Sequence, residues 1–383
     1  MKVQKLLIQF ESPCAFLSSI LRNSLKSKYA YECALAHFQR FLVTSYKGYN
    51  IETILEPLSH NEINVYTVLD KFVLYLLNVN ANLTPNSINL YVAAIRSYLA
   101  YYDIDVVPSK FKRKVKMPKS YREDEEAIDV SDIRRLLLSC NNRRLRTYLL
   151  LLASGGMRAT ECLAIRIKDM DFSVNPTKVH IRKEYAKTRT GRDIYISDEA
   201  TLYLKQWIQW KYENVDRPRK RDENDLVFTV YSTADPMLLY DKILREFQKL
   251  LTIVGLDARK ENTQRRRKIT LHSLRRFTKT VISDQVNQDF SEWFLGHRKS
   301  PYYTKKEPDR RQIYATRCMK YLTFLDYSTI EAAGKSIEAK LQEKDKEIYS
   351  IREKYEQDLQ AVREEMEMKF QQILARIDIG RVH

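Results

Sequence analysis

The sequence predicts a multidomain, mainly α protein with a small β-sheet: a helical domain, a mixed α+β domain and a long C-terminal helix. Three observations carry that expectation. Apolar residues recur at helical spacing through residues 13–107, two short strand-like runs flank Ala186–Arg192, and residues 335–383 carry a charge-balanced seven-residue repeat. At 383 residues the chain suits two folded domains plus an appendage.

Within 13–107 the clearest stretch runs from Ser59 to Tyr102. Leu69, Phe72, Val73 and Leu76 form one apolar stripe, and Leu83-Thr84-Pro85-Asn86 is a turn signal. Thr84 or Asn86 then opens a helix on which Ile88, Tyr91, Val92, Ile95 and Leu99 recur. These side chains read as a bundle core, which leaves function to the opposite faces and the loops.

Residues 108–126 read as a basic linker. From Ser109 to Arg122 the run SKFKRKVKMPKSYR holds seven Lys or Arg and no acid, and Pro118 opposes one continuous helix through it. Lys110, Lys112, Arg113, Lys114 and Lys116 are candidate contacts to a DNA backbone, because positive charge without intervening acids matches a polyphosphate. The acidic run Glu123-Asp124-Glu125-Glu126 ends the stretch, and Asp129 or Ser131 caps the next helix.

Residues 127–328 mix helices with a short sheet. Leu145–Ser154 reads as a buried helix, followed by Gly155-Gly156 and Arg158, with Glu161 placed to accept from nearby backbone donors. Val179–Tyr185 and Asp193–Ser197 read as two strands, with Thr190-Gly191 supplying the turn and Lys187 near the start of the connection. His272 and Arg275, three residues apart in LHSLRR, share one helix face. Arg265-Arg266-Arg267-Lys268, just before them, is a second cationic focus suited to anchoring a phosphate backbone.

The formal net charge of +17 favours a polyanionic partner, nucleic acid or an anionic surface. No apolar run reaches transmembrane length and purity, and the lysine-containing start lacks a signal-peptide core, so no membrane role and a cytoplasmic setting are expected. The five cysteines show no CxxC pairing and read as isolated reduced thiols. No compact acidic cage or GxxxxGK[ST] loop is present, so neither a metal nor a nucleotide cofactor is expected.

Arg158, Lys187, His272, Arg275 and His297, together with a tyrosine, form a set able to hold and cleave a DNA phosphodiester. Arginine grips two phosphate oxygens in a charge-assisted fork, and histidine donates to a developing oxyanion or moves a proton. A tyrosine nucleophile needs its attacked phosphate neutralised and its leaving oxygen protonated. Each signal alone is weak: a lone hairpin lysine or an HxxR is common.

Taken in order, with their helix–hairpin–helix context, these residues resemble the tyrosine recombinase and integrase family, particularly its archaeal members, over about residues 13–328. The resemblance implies a helical core-binding domain and a catalytic domain that together embrace duplex DNA in a C shape. Arg158 matches the first catalytic arginine, Lys187 the hairpin lysine that protonates the leaving 5′ oxygen, His272 and Arg275 the HxxR element, and His297 the histidine of LGH. It further implies a double-stranded recombination site as partner, a homo-oligomer that is tetrameric on paired sites, and a nucleoid-associated location. Cleavage then proceeds through a 3′-phosphotyrosyl link without metal. The tyrosine departs from the common spacing of about nine residues beyond the LGH histidine. Tyr302 is the favoured nucleophile on its SPYYTKK context, with Tyr303 the alternative and Tyr314 behind it. A DNA-binding regulatory or architectural protein without strand exchange, and a topoisomerase-like relaxing enzyme, are the competing functions.

The tail, Lys335–His383, contains ten Lys or Arg and eleven Asp or Glu. Leu341, Ile348, Tyr355 and Val362 recur every seven residues, with Leu359, Met366 and Ile373 at companion positions and Asp345 and Arg352 weakening the early register. An amphipathic, coiled-coil-like assembly helix is expected.

Overall fold

The computed structural model describes residues 7, 9–22, 24–79, 83–119, 127–186, 189–213, 220–229, 235–259, 266–297, 300–325 and 327–379. The chain divides into two compact units, one of residues 1–125 with 259–266 and one of residues 126–258 with 267–383.

The first unit is helical: α1 (Glu11–Leu21), α2 (Leu25–Ser45), α3 (Leu55–Ser59), α4 (Val65–Val79), α5 (Pro85–Tyr101) and α6 (Pro108–Lys114). Thr84 caps α5 through the Ser87 amide and Pro85 occupies its first turn, where a missing N–H costs nothing. The apolar stripes of α4 and α5 meet α2 in one core that includes Phe38, Phe41, Phe72, Ile95 and Leu99, all at most 1% exposed. Tyr98 inserts a hydroxyl into that core, donating to the Ile51 carbonyl at 2.9 Å and accepting from Ser12 at 2.9 Å.

The basic segment differs from a plain linker in its first half. Pro108 starts a helix instead of breaking one, and α6 is held by Phe111, whose ring lies 4.5 Å below the Arg96 guanidinium. Val115, at 3% exposure, joins the helical core, and the Lys116 amide donates to Asp70 at 3.1 Å. The apolar residues Phe111 and Val115, interleaved with the lysines, fold this stretch onto the unit. Residues 120–126 lie outside the described residues.

The second unit carries α7 (Val130–Leu138), α8 (Arg143–Gly155), α9 (Ala159–Leu163), β1 (Met170–Asp171), β2 (Lys178–Ile181), β3 (Arg192–Tyr195), α10 (Asp198–Glu213), α11 (Tyr240–Val254), α12 (Leu271–Gln285), α13 (Gln288–Phe294), α14 (Glu307–Ile313) and α15 (Tyr327–Ile379). Asp129 and Asp132 form a capping box on α7. The sheet is antiparallel in the order β1-β2-β3, with Lys178 opposite Tyr195 and Ile181 opposite Arg192. The strands are shorter than the sequence runs, because Arg182 leaves the ladder to pair with Asp169 at 2.8 Å. Helix α8 is buried on nearly every side and packs against α10 and α12. It ends at Gly156, whose φ of +59° is the left-handed turn that favours glycine. Beyond α14 the chain widens into a π-helical turn, Tyr314–Cys318, and then tightens into a 3-10 turn, Met319–Leu322. The five cysteines are free. No helix among the described residues is long and apolar enough to cross a membrane.

Tyr98→Phe keeps the ring of the helical core and strands the Ile51 carbonyl. Chemical denaturation should show a loss of about 1–2 kcal/mol, and an unchanged midpoint would assign that hydroxyl no structural role.

Candidate functional site

The site is built around one buried carboxylate. Glu161 sits in the first turn of α9, with its side chain fully buried. It accepts the Arg158 amide at 3.0 Å and the Arg158 guanidinium at 2.7 Å. From the sheet, Arg192 reaches it at 2.9 Å, and Arg275 on α12 stands 3.9 Å away. Burial pushes the Glu161 carboxyl up, but Arg192 and Arg158 outweigh it and hold the group below its usual range. Three guanidiniums against one carboxylate leave the cluster with surplus positive charge.

Arg192 was not singled out by sequence. Its side chain is fully buried, and its Nε donates to the Phe294 carbonyl at 3.0 Å, tying β3 to the end of α13. A β-strand arginine opposite an isoleucine carries no motif; only the fold reveals its partner. Arg275 donates to the Gly156 carbonyl at 2.5 Å and the Leu295 carbonyl at 2.6 Å. Burial and then the neighbouring Arg158 push Arg275 down to about 9, still protonated at neutral pH. Arg158, at 21% side-chain exposure, is the most solvent-exposed of the three guanidiniums.

Two glycines make room around the cluster, one for Leu295 and one for Arg192. A Cβ on Gly156 would stand 2.9 Å from Leu295, and one on Gly296, at φ +79°, would stand 2.7 Å from Arg192. The glycines of GGMRATE and WFLGH are thus packing requirements of the cluster.

His272 lies in the first turn of α12, one turn before Arg275, and is exposed at its rim. Partial burial, then Arg275 and Arg158, lower its proton affinity, so the ring is neutral at pH 7 and free to donate one hydrogen bond. His297 follows the Gly296 turn, and its Nδ1 pairs with Glu292, which also holds Lys279 at 2.6 Å. Glu292 therefore fixes the ring orientation of His297. Lys187 and Arg265 lie outside the described residues.

The tyrosines separate clearly. Tyr302, at 8% exposure, packs edge-on against Phe290 and its hydroxyl accepts from the Asn287 amide group at 3.0 Å. Asn287 lies two residues beyond the last residue of α12, Gln285, which is about 15 Å along the axis from Arg275 at 1.5 Å per residue. Tyr303 is half-buried against the core. Tyr314 is fully buried and stacked on Phe294 at 5.5 Å. Its hydroxyl donates to the Ser154 carbonyl at 3.1 Å, two residues before the carbonyl that holds Arg275. The Tyr314 hydroxyl is thus held at the end of α8, and the Tyr302 hydroxyl just beyond the end of α12.

Lys110, Lys112, Arg113 and Lys114 are exposed on α6, Lys116 is exposed just after it, and Arg266 is exposed as well. Arg267 is half-buried and engaged with Asp257 at 3.6 Å and Thr252 at 3.5 Å, and Lys268 is half-buried with its amide on the Ala258 carbonyl. Among the described residues, no group of three or more His, Cys, Asp or Glu is arranged to hold a metal ion.

Comparison with known proteins finds similar sequences and a shared fold. Residues 126–306 match the phage integrase family model. Over 173 residues the chain is 27% identical to the tyrosine recombinase XerA of Saccharolobus solfataricus, covering 45% of this chain and 50% of that protein. The chain thus spans half the length of that curated relative. Among solved structures, the XerH site-specific recombinase in its post-cleavage complex with palindromic difH is similar over 87% of this chain and 86% of that one, with a TM-score of 0.52 and 16% identity. A lambda integrase tetramer bound to a Holliday junction covers 78% of this chain and 79% of that one, at a TM-score of 0.51 and 11% identity. The fold is that of these recombinases, mainly helical with a small sheet.

Glu161→Gln removes the only carboxylate facing Arg192 among the described contacts and leaves a fully buried cation uncompensated. It should cost about 3–5 kcal/mol in urea unfolding. Because Glu161 is held below its usual range, its contribution is present above the ordinary carboxylate range and is lost as pH falls through the lowered value; a midpoint insensitive to both substitution and acid would remove Glu161 from its central place.

His272 has the same pH direction for a different reason. Its folded-state affinity is depressed, so below about pH 6.5 the unfolded chain takes up the proton first and stability declines. His272→Asn should reduce the stability lost between about pH 7 and pH 5, measured by denaturation at each pH.

Proposed function

We propose that the protein is a site-specific DNA recombinase that cleaves and rejoins duplex DNA through a 3′-phosphotyrosyl intermediate, acting as a homo-oligomer on paired sites in the nucleoid. The observation that carries this reading is the convergence of Arg158 and Arg275 around Glu161, with His272 one helical turn away. The phage integrase match over 126–306, and the recombinases that share the fold, support the same reaction class. The exposed lysines and arginine on and after α6 supply sequence-independent affinity for the phosphate backbone.

In this reaction the tyrosine hydroxyl attacks a DNA phosphorus, forming a tyrosyl O–P bond and breaking the bond to the 5′ oxygen. Arg158 and Arg275 balance the charge on the pentacoordinate phosphate. Neutral His272 donates to a non-bridging oxygen, and His297, oriented by Glu292, donates to another. Lys187 protonates the departing 5′ oxygen, a role taken from the family resemblance. A free 5′-hydroxyl from a partner strand then attacks the phosphotyrosyl phosphorus and restores the tyrosine. Bond energy is conserved, so no nucleotide is consumed.

The geometry supports Tyr314 as the nucleophile over Tyr302 and Tyr303. Its hydroxyl rests on the turn that receives Arg275, whereas the Tyr302 hydroxyl is anchored at the other end of α12. Burial raises the Tyr314 phenol well above its usual range, so the hydroxyl is inert until it leaves the Ser154 carbonyl. The π-helical turn that begins at Tyr314 is a strained insertion of the kind that recurs at functional sites and supplies the freedom to move.

A suicide duplex that loses its 5′ fragment should trap the full chain covalently in the presence of EDTA. Tyr314→Phe should bring trapping to background with DNA binding retained, while Tyr302→Phe should still trap; Arg158→Ala should slow trapping about 10²–10³-fold. Peptide mapping of the adduct to Tyr302 would overturn the nucleophile assignment. Binding without an adduct on any cognate duplex would favour a regulatory protein.

A further inference from the structure

Helix α15 spans Tyr327–Ile379, about 80 Å at 1.5 Å per residue. Along it Ile348, Ile351, Tyr355, Leu359, Val362 and Met366 are each between 41% and 67% exposed. A row of large apolar side chains in water needs a partner, and their spacing states which one.

The intervals are three, four and four residues, repeated. Ile348, Leu359 and Phe370 are eleven residues apart; so are Ile351, Val362 and Ile373, and so are Tyr355, Met366 and Ile377. An eleven-residue repeat has about 3.67 residues per turn, close to the natural period of an α-helix, and seams of this kind wind with a slight right-handed twist. A seven-residue reading fails at Asp345 and Arg352 because that is the wrong period; in the eleven-residue register both fall beside the stripe. Nine consecutive stripe positions, from Ile348 to Ile377, are apolar.

The flanking charges set the orientation. At about 98° per residue, Glu347 and Asp358 lie on one side of the stripe, and Arg352 and Arg363 on the other. In a parallel pair of helices, each flank faces the partner's opposite flank five residues further on. Glu347 then meets Arg352 of the second copy, and Asp358 meets Arg363, twice each by symmetry. In an antiparallel pair like flanks meet, acid against acid and arginine against arginine. We infer that residues 348–377 form a parallel two-stranded coiled coil between two copies of this chain, joined through an eleven-residue seam. This pairing does not rest on the recombinase reading, because it requires no DNA.

Sedimentation equilibrium of the full chain at tens of micromolar, without DNA, should give twice the chain mass. Val362→Asp, which places a charge at the centre of the seam, should give the monomer mass. Asp358→Arg changes only an exposed flank and should weaken the dimer about tenfold by turning two attractions into repulsions. The double variant Asp358→Arg with Arg363→Asp should restore the dissociation constant to within about twofold. Far-ultraviolet circular dichroism and duplex binding verify that each variant is folded. A monomeric native chain, or a dimer indifferent to Val362→Asp, would overturn the coiled coil. A single charge reversal without effect, or a double one without rescue, would overturn the parallel register.

Discussion

The second unit depends on the neutralisation of three arginines by Glu161. Arg192 is fully buried and Arg275 nearly so, and an isolated buried cation costs several kcal/mol. One carboxylate does not cancel three guanidiniums, so carbonyls of Phe294, Gly156 and Leu295 take up further N–H donors. Each of those carbonyls ends an element: α8 for Gly156 and α13 for Phe294 and Leu295. The same hydrogen bonds that make burial tolerable therefore fix the sheet, α8, α12 and α13 at one point. Under the proposed function, the residual positive charge is what a phosphate would neutralise, completing what Glu161 begins.

This arrangement separates two uses of basic residues. On and after α6, Lys110, Lys112, Arg113, Lys114 and Lys116 stand in solvent and lose little by being there. In the proposed contact with a DNA backbone their energy would come from counterion release and be screened by salt. Arg192 contributes almost nothing to the outer field; it is spent on geometry, with Arg158 held by the same carboxylate. Arg267, which reads as part of an exposed basic run, is committed to Asp257. Net charge alone does not distinguish these roles, although it points to a polyanion.

The legible part of the fold was local. The cap at Thr84, the box at Asp129, the glycine after α8 and the pairing of His272 with Arg275 on one helix are written in neighbouring residues. The Glu161 contact with the Arg158 amide is equally local and was readable; its ion pair to Arg192 spans 31 positions and was not. Arg192 reaches Phe294 across 102 positions, and Arg275 reaches Gly156 across 119. In the basic run before Pro118 the charges outnumber Phe111 and Val115, yet those two residues pack the first half onto the helical core. Tyr302 is favoured in sequence by its SPYYTKK context, whereas the contacts that hold its hydroxyl to Asn287 and Ser300 to the Asp289 carbonyl are tertiary and carry no motif.

Burial of Tyr314 has a mechanistic consequence that follows from the same cluster. Its hydroxyl occupies the Ser154 carbonyl and its ring lies on Phe294, so the phenol is shielded from solvent and from any stray electrophile. Leaving that position breaks one hydrogen bond and a stacked aromatic contact, each worth on the order of 1 kcal/mol. Such a barrier is small enough for DNA binding to meet and large enough to keep the resting tyrosine inward. A phosphate engaging Arg158 and drawing on Arg275 would loosen the Gly156 and Leu295 carbonyls, which flank Ser154 and Phe294 in the chain. Under the proposed reaction, substrate binding and release of Tyr314 would act on the same two turns, which would couple the chemistry to the presence of DNA.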